Sequence, residues 1–75
     1  MEIKEFIANF ADQFEETDAS VFTAETKFKD LDEWCSLVGM SVIVMVKSEY
    51  GKTITGKDLR ECDTVGALFN MIESK

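Results

Sequence analysis

With 75 residues, 15 of them acidic and 8 basic, the chain carries a formal net charge of −7 and has neither histidine nor proline. A chain this short buries roughly 60% of its unfolded surface, a modest core that argues against a deep catalytic cleft, and its acidity repels nucleic-acid phosphates and anionic membranes. Lack of histidine removes the commonest general base, and two isolated cysteines, Cys35 and Cys62, do not make a four-ligand zinc site. The expectation is one domain over residues 1–75 that is no enzyme. It would work as a cytoplasmic monomer with reduced thiols, without nucleic acid or membrane insertion.

In chain order, the segment from Met1 to Phe14 places Ile3, Phe6, Ile7, Phe10, Ala11 and Phe14 at helical spacing on one stripe. Glu2 and Glu5 fall in its first turn, where negative charge suits the helix dipole. Residues 15–35 keep no period and are rich in carboxylates. They read as a long acidic loop pinned by Val21, Phe22, Phe28, Leu31 and Trp34, and a loop of that length is often functional.

A second helix is predicted from Ser36 to about Tyr50, with Gly51 as its stop. Its valines and Ile43 also allow a strand, but Met40, Met45, Lys47 and Glu49 favour helix over a segment this long. Wound at helical pitch, Gly39, Val42, Ile43, Val46 and Tyr50 form an uncharged stripe suited to the core. Leu37, Met40 and Val44 form a second, exposed apolar stripe of the kind that marks an interaction site, with burial against the loop as its alternative. Thr55 and Asp58 have capping-box spacing for a short helix near residues 56–61. A last helix is expected from about Thr64 to Ser74, capped by Asp63 or Thr64, with Val65, Leu68, Phe69 and Ile72 inward.

The stretch from Phe28 through Trp34-Cys35-Ser36-Leu37, followed by an apolar helix, resembles the acyl carrier protein family, whose signature here is Asp-Ser-Leu. The likeness extends to the first helix, the loop with Phe28 and Leu31, the Tyr50-Gly51 helix end, the Ile54 anchor and the Thr64-Val65 start. The resemblance implies an all-α four-helix bundle with a long loop between helices 1 and 2 and a short third helix. It implies that a phosphopantetheinyl transferase attaches 4′-phosphopantetheine from coenzyme A to Ser36, and that the arm's thiol then carries acyl groups as thioesters for acyl-transferring or condensing enzymes. An aminoacyl or peptidyl carrier is the neighbouring alternative. A helix N-terminus is a sound place for a phosphodiester, because unpaired N–H groups and the dipole both favour an anion. The competing role for Ser36 is a plain N-cap.

The sequence departs from the family at two places. Cys35 stands where the family has the aspartate used in transferase recognition, and it reads equally as a small apolar filler near Trp34. The second helix holds a single acid, Glu49, where carriers commonly show several. Partners are therefore expected at Cys35, Leu37, Met40 and Val44, with Val38 and Met45 nearby and loop carboxylates steering, as in a specialised carrier. Cargo is expected between helices 2 and 3, lined by Ile43, Val46, Ile54, Leu59 and Leu68, residues that equally form plain core. The alternative from another class is an unmodified helical adaptor that binds partners through the second helix.

Overall fold

The computed structural model describes residues 2–75, which include four α-helices and two 3-10 turns, and none of these residues is in a strand. Met1, with which the first predicted helical segment begins, lies outside the described residues. Helix α1 spans Ile3–Ala11, α2 Ser36–Tyr50, α3 Gly56–Glu61 and α4 Val65–Glu73. Helix α1 packs on α4 and α2, and α2 packs on α3. The result is a small helical bundle.

Phe6, Phe10 and Ala11 bury the inner face of α1. The helix ends three residues before Phe14, which the sequence stripe had included. The N–H of Phe14 donates to the Ala11 carbonyl at 3.0 Å, and this turn keeps the ring in the core outside the helix. Glu2 is the N-cap residue, and of the two predicted first-turn acids Glu5 alone lies in the first turn. All six phenylalanines of the chain are buried. Phe10 touches four of the others, with ring centroids 5.4 Å from Phe14 and Phe28, 5.9 Å from Phe22 and 6.0 Å from Phe6.

The segment between α1 and α2 is more ordered than a bare loop. It forms short 3-10 turns at Ala19–Val21 and Phe28–Asp30. Phe22 and Phe28 are buried, Leu31 and Trp34 half-buried, and Val21 exposed. The segment also caps the last helix. The N–H groups of Val65 and Gly66 donate to the carbonyls of Thr26 at 3.1 Å and Ala24 at 2.8 Å, while Ala67 donates to the Thr64 hydroxyl at 3.1 Å. The orphan amides of α4 are thus satisfied largely from the loop.

Helix α2 ends at Gly51, whose φ of 68° is the left-handed conformation that glycine adopts without a Cβ penalty, and whose N–H donates to the Lys47 carbonyl at 3.0 Å. Helix α3 carries both halves of the capping box, Asp58 N–H to the Thr55 hydroxyl at 3.2 Å and Thr55 N–H to the Asp58 carboxylate at 3.0 Å. The Asn9 side-chain amide donates to the Tyr50 hydroxyl at 2.9 Å and ties α1 to the end of α2.

The buried face of α2 differs from the sequence stripe. Val38, Gly39, Val42, Met45 and Val46 are buried, while Ile43 and Tyr50 are half-buried. Val38 and Met45, expected beside the partner face, are therefore core residues. The helix is apolar on nearly every side, so the placement of α1, α3 and the loop around it selects the inner face.

Candidate functional site

The junction of the loop with α2 is held from two directions. Trp34 packs edge-on to Phe28 with centroids 4.9 Å apart and stacks on Phe14 at 6.3 Å with the ring planes inclined by 27°. Glu33 reaches back to residues just after α1. Its carboxylate accepts from the N–H groups of Glu15 at 2.7 Å, Glu16 at 3.1 Å and Thr17 at 2.9 Å, and from the Thr17 hydroxyl at 2.7 Å. The sequence shows Glu33 only as one more solvated acid, because its partners are main-chain groups that no residue pattern reveals.

These bonds, the Thr17 hydroxyl foremost, hold the Glu33 carboxyl below the usual glutamate range. A carboxylate with a lowered folded-state pKa contributes stability that is fully present above its unfolded value, about 4.3, and is lost as pH falls through the folded value. Glu33→Gln is accordingly expected to lower the urea midpoint at pH 7, and the gap from the unaltered protein should be narrower at pH 3. Urea titrations of both proteins at the two pH values check this. A constant gap would contradict the clamp.

Cys35 takes the N-cap position in extended backbone and makes no side-chain cap bond. Its thiol is exposed, so it is not a filler behind Trp34. Ser36 is the first residue of α2, exposed, and it is not the N-cap. The Cys35 carbonyl accepts from Gly39 N–H at 2.9 Å, whereas the N–H groups of Ser36, Leu37 and Val38 meet no acceptor among the described residues. In the second cysteine, Cys62, burial raises the thiol pKa and keeps it protonated.

A groove of about 480 Å³ opens beside Ser36 between α2 and α3. Trp34, Cys35 and Ser36 contribute from the junction, Gly39, Met40 and Ile43 from α2, and Gly56, Leu59 and Arg60 from α3, with Lys29 from the loop. Of the residues expected to line a cargo site, Ile43 and Leu59 meet Ser36 in this groove. Val46, Ile54 and Leu68 are packed into the core with 0–2% exposure. The residue pattern does not reveal Lys29 and Arg60, because the connecting segment and α3 bring them beside Ser36 only through tertiary packing.

Gly39 sits where α2 faces this groove. A Cβ built there would meet Leu59 Cδ1 and Trp34 Cζ2 at 3.6 Å, ordinary contact distances. Gly39→Ala should therefore stabilise the fold by about 0.5–1 kcal/mol, since alanine loses less backbone entropy in a helix interior. A higher urea midpoint checks it, and a lower one would show that the space beside Gly39 between Trp34 and Leu59 is too tight for a methyl group.

Leu37, Met40 and Val44 present a continuous outer face on α2, with 73, 63 and 65% exposure. Their burial against the loop is thus excluded. A shallow hollow of about 390 Å³ beside them also touches Gln13, Ser48 and Glu49. No helix among the described residues is long and apolar enough to cross a membrane. Comparison of the chain with family models, with curated proteins and with solved structures returned no match.

Proposed function

We propose that the chain is a discrete acyl carrier in the manner of acyl carrier proteins, with Ser36 as the attachment point for 4′-phosphopantetheine. The observation that carries this reading is an exposed serine at the first position of a 15-residue helix whose leading N–H groups are unpaired, opening onto a groove. Those amides and the positive end of α2 suit the oxygens of a phosphodiester on Ser36 Oγ. Glu33 and Trp34 hold the preceding segment, so the hydroxyl is presented on a fixed element. Once attached, the arm supplies a thiol on which acyl cargo is held as a thioester. The chain itself positions and presents the cargo, and partner enzymes supply the catalytic groups.

In this reading Leu37, Met40 and Val44, with Cys35, form the face met by the transferase and by acyl-transferring or condensing enzymes. Cys35 in place of an aspartate removes a charge from that face and selects a transferase tolerant of a neutral neighbour. The adaptor alternative draws on the same exposed face without modification of Ser36.

Intact mass spectrometry after incubation with coenzyme A and a panel of phosphopantetheinyl transferases tests the reading. The expected result is a single added phosphopantetheine, mapped to Ser36 by peptide digestion. No added mass with any transferase, or attachment at another residue, would overturn it, and partner binding by the unmodified protein would then favour the adaptor.

A further inference from the structure

We propose that the groove between α2 and α3 takes an acyl cargo ending in a carboxylate, anchored by the guanidinium of Arg60. This rests on Ser36 being the attachment point, and it adds the chemical class of the cargo.

The charge distribution is the first argument. Acidic residues outnumber basic ones 15 to 8 in the chain, yet the groove is lined by two cations, Lys29 and Arg60, and by no carboxylate among the described residues. Chance placement on so acidic a protein favours the opposite sign. The two cations also differ in availability. Lys29 Nζ donates to the Arg60 main-chain carbonyl at 2.6 Å and pairs with Asp63 at 3.7 Å, so its donors are largely engaged in closing the end of α3. Arg60 is the one arginine of the chain, and its guanidinium has neither a hydrogen bond nor an ion pair among the described residues.

The shape of the groove is the second argument. Its volume falls within the roughly 300–1,000 Å³ typical of small-molecule sites. Trp34, Met40, Ile43 and Leu59 offer apolar contact to a short carbon chain, and Gly39 leaves room between the Trp34 ring and Leu59. An apolar trough with a forked cation fits methylenes that end in a carboxylate, which arginine binds with two parallel hydrogen bonds. An exposed ion pair is weak on its own. Covalent tethering at Ser36 supplies an effective concentration in the millimolar range, enough for a weak contact to be occupied. The core residues Val46, Ile54 and Leu68 stay closed, so a short polar-ended cargo along the surface needs no opening of the bundle.

The chain's one arginine and one tryptophan each give a single side-chain N–H resonance, and both residues line the groove. The transferase would load Ser36 from glutaryl-coenzyme A, from pentanoyl-coenzyme A or from coenzyme A, with mass spectrometry verifying each product. In the glutaryl form both resonances should shift. In the pentanoyl form only the Trp34 signal should move, and in the thiol form the Arg60 signal should stay at its unmodified position. Arg60→Gln should reduce the Trp34 shift of the glutaryl form to that of the pentanoyl form; Arg60 is exposed, so the variant keeps the fold.

An Arg60 signal identical in the glutaryl and pentanoyl forms would overturn the cargo assignment and leave the carrier reading intact. An equal Arg60 shift in all three forms would mean that the guanidinium holds the arm's phosphate, which also overturns it. Failure to load any of the three would remove the carrier reading and this inference together.

Discussion

Phe10→Ala is expected to cost about 3–5 kcal/mol, the range for deleting a fully buried phenylalanine. A 75-residue domain has in total roughly 4–11 kcal/mol, at about 0.05–0.15 kcal/mol per residue. The variant should therefore lose from about a quarter to all of that stability, and its urea midpoint should fall far below that of the unaltered protein. The cost is high because Phe10 has no exposure and is in ring contact with Phe6, Phe14, Phe22 and Phe28. Its removal opens a void between α1 and the connecting segment, and aromatic pairs contribute about 0.5–1.5 kcal/mol each beyond area burial. Phe10→Leu keeps much of the volume and should lose far less. Urea denaturation of the three proteins, followed by circular dichroism, orders them. A Phe10→Ala midpoint equal to that of the unaltered protein would contradict the described packing.

Gly66→Ala should destabilise by about 1–3 kcal/mol, the usual cost of overpacking. The intrinsic helix preference for alanine, up to about 1 kcal/mol, works in the opposite direction here and loses. A Cβ at position 66 would lie 2.9 Å from the Ala24 carbonyl oxygen and 3.2 Å from the Ala24 Cβ. The oxygen is main chain and already accepts from the Gly66 N–H at 2.8 Å, so relief of the clash lengthens that bond. Both Gly39 and Gly66 are helical, yet their alanine variants are expected to shift the urea midpoint in opposite directions. Measured side by side, the pair separates helix propensity from tertiary contact.

The helical elements were legible in the sequence where local chemistry decides them. Ser36 to Tyr50 with Gly51 after it, Thr55 with Asp58, and Thr64 ahead of Val65 each mark a boundary that the structure shares. The exposed face of Leu37, Met40 and Val44 was legible as well, because apolar residues share it with Ser41 and Ser48. What the sequence does not show depends on contacts between distant segments. The inner face of α2 could not be told from a helix with valine or isoleucine at five of its positions, and Met45 went inward while Ile43 stayed at the edge. The Glu33 clamp joins a carboxylate to amides 16–18 residues earlier. Ser36 was identifiable as a candidate from its position in the chain, but the groove beside it, with Lys29 and Arg60, exists only once α3 has packed on α2.

The bonds from Val65 and Gly66 to the carbonyls of Thr26 and Ala24 couple two parts of the chain that are remote in sequence. In most helices the first amides exchange their hydrogens with solvent almost freely, since nothing within the helix protects them. Here the first two amides of α4 can exchange only when the connecting segment lifts away. Their exchange rates in deuterated water therefore report the docking of that segment, and not the fraying of α4. Segment and helix start form one cooperative opening unit, so substitutions that loosen the Phe22 and Phe28 contacts should speed exchange at Val65 and Gly66 before they affect the middle of α4.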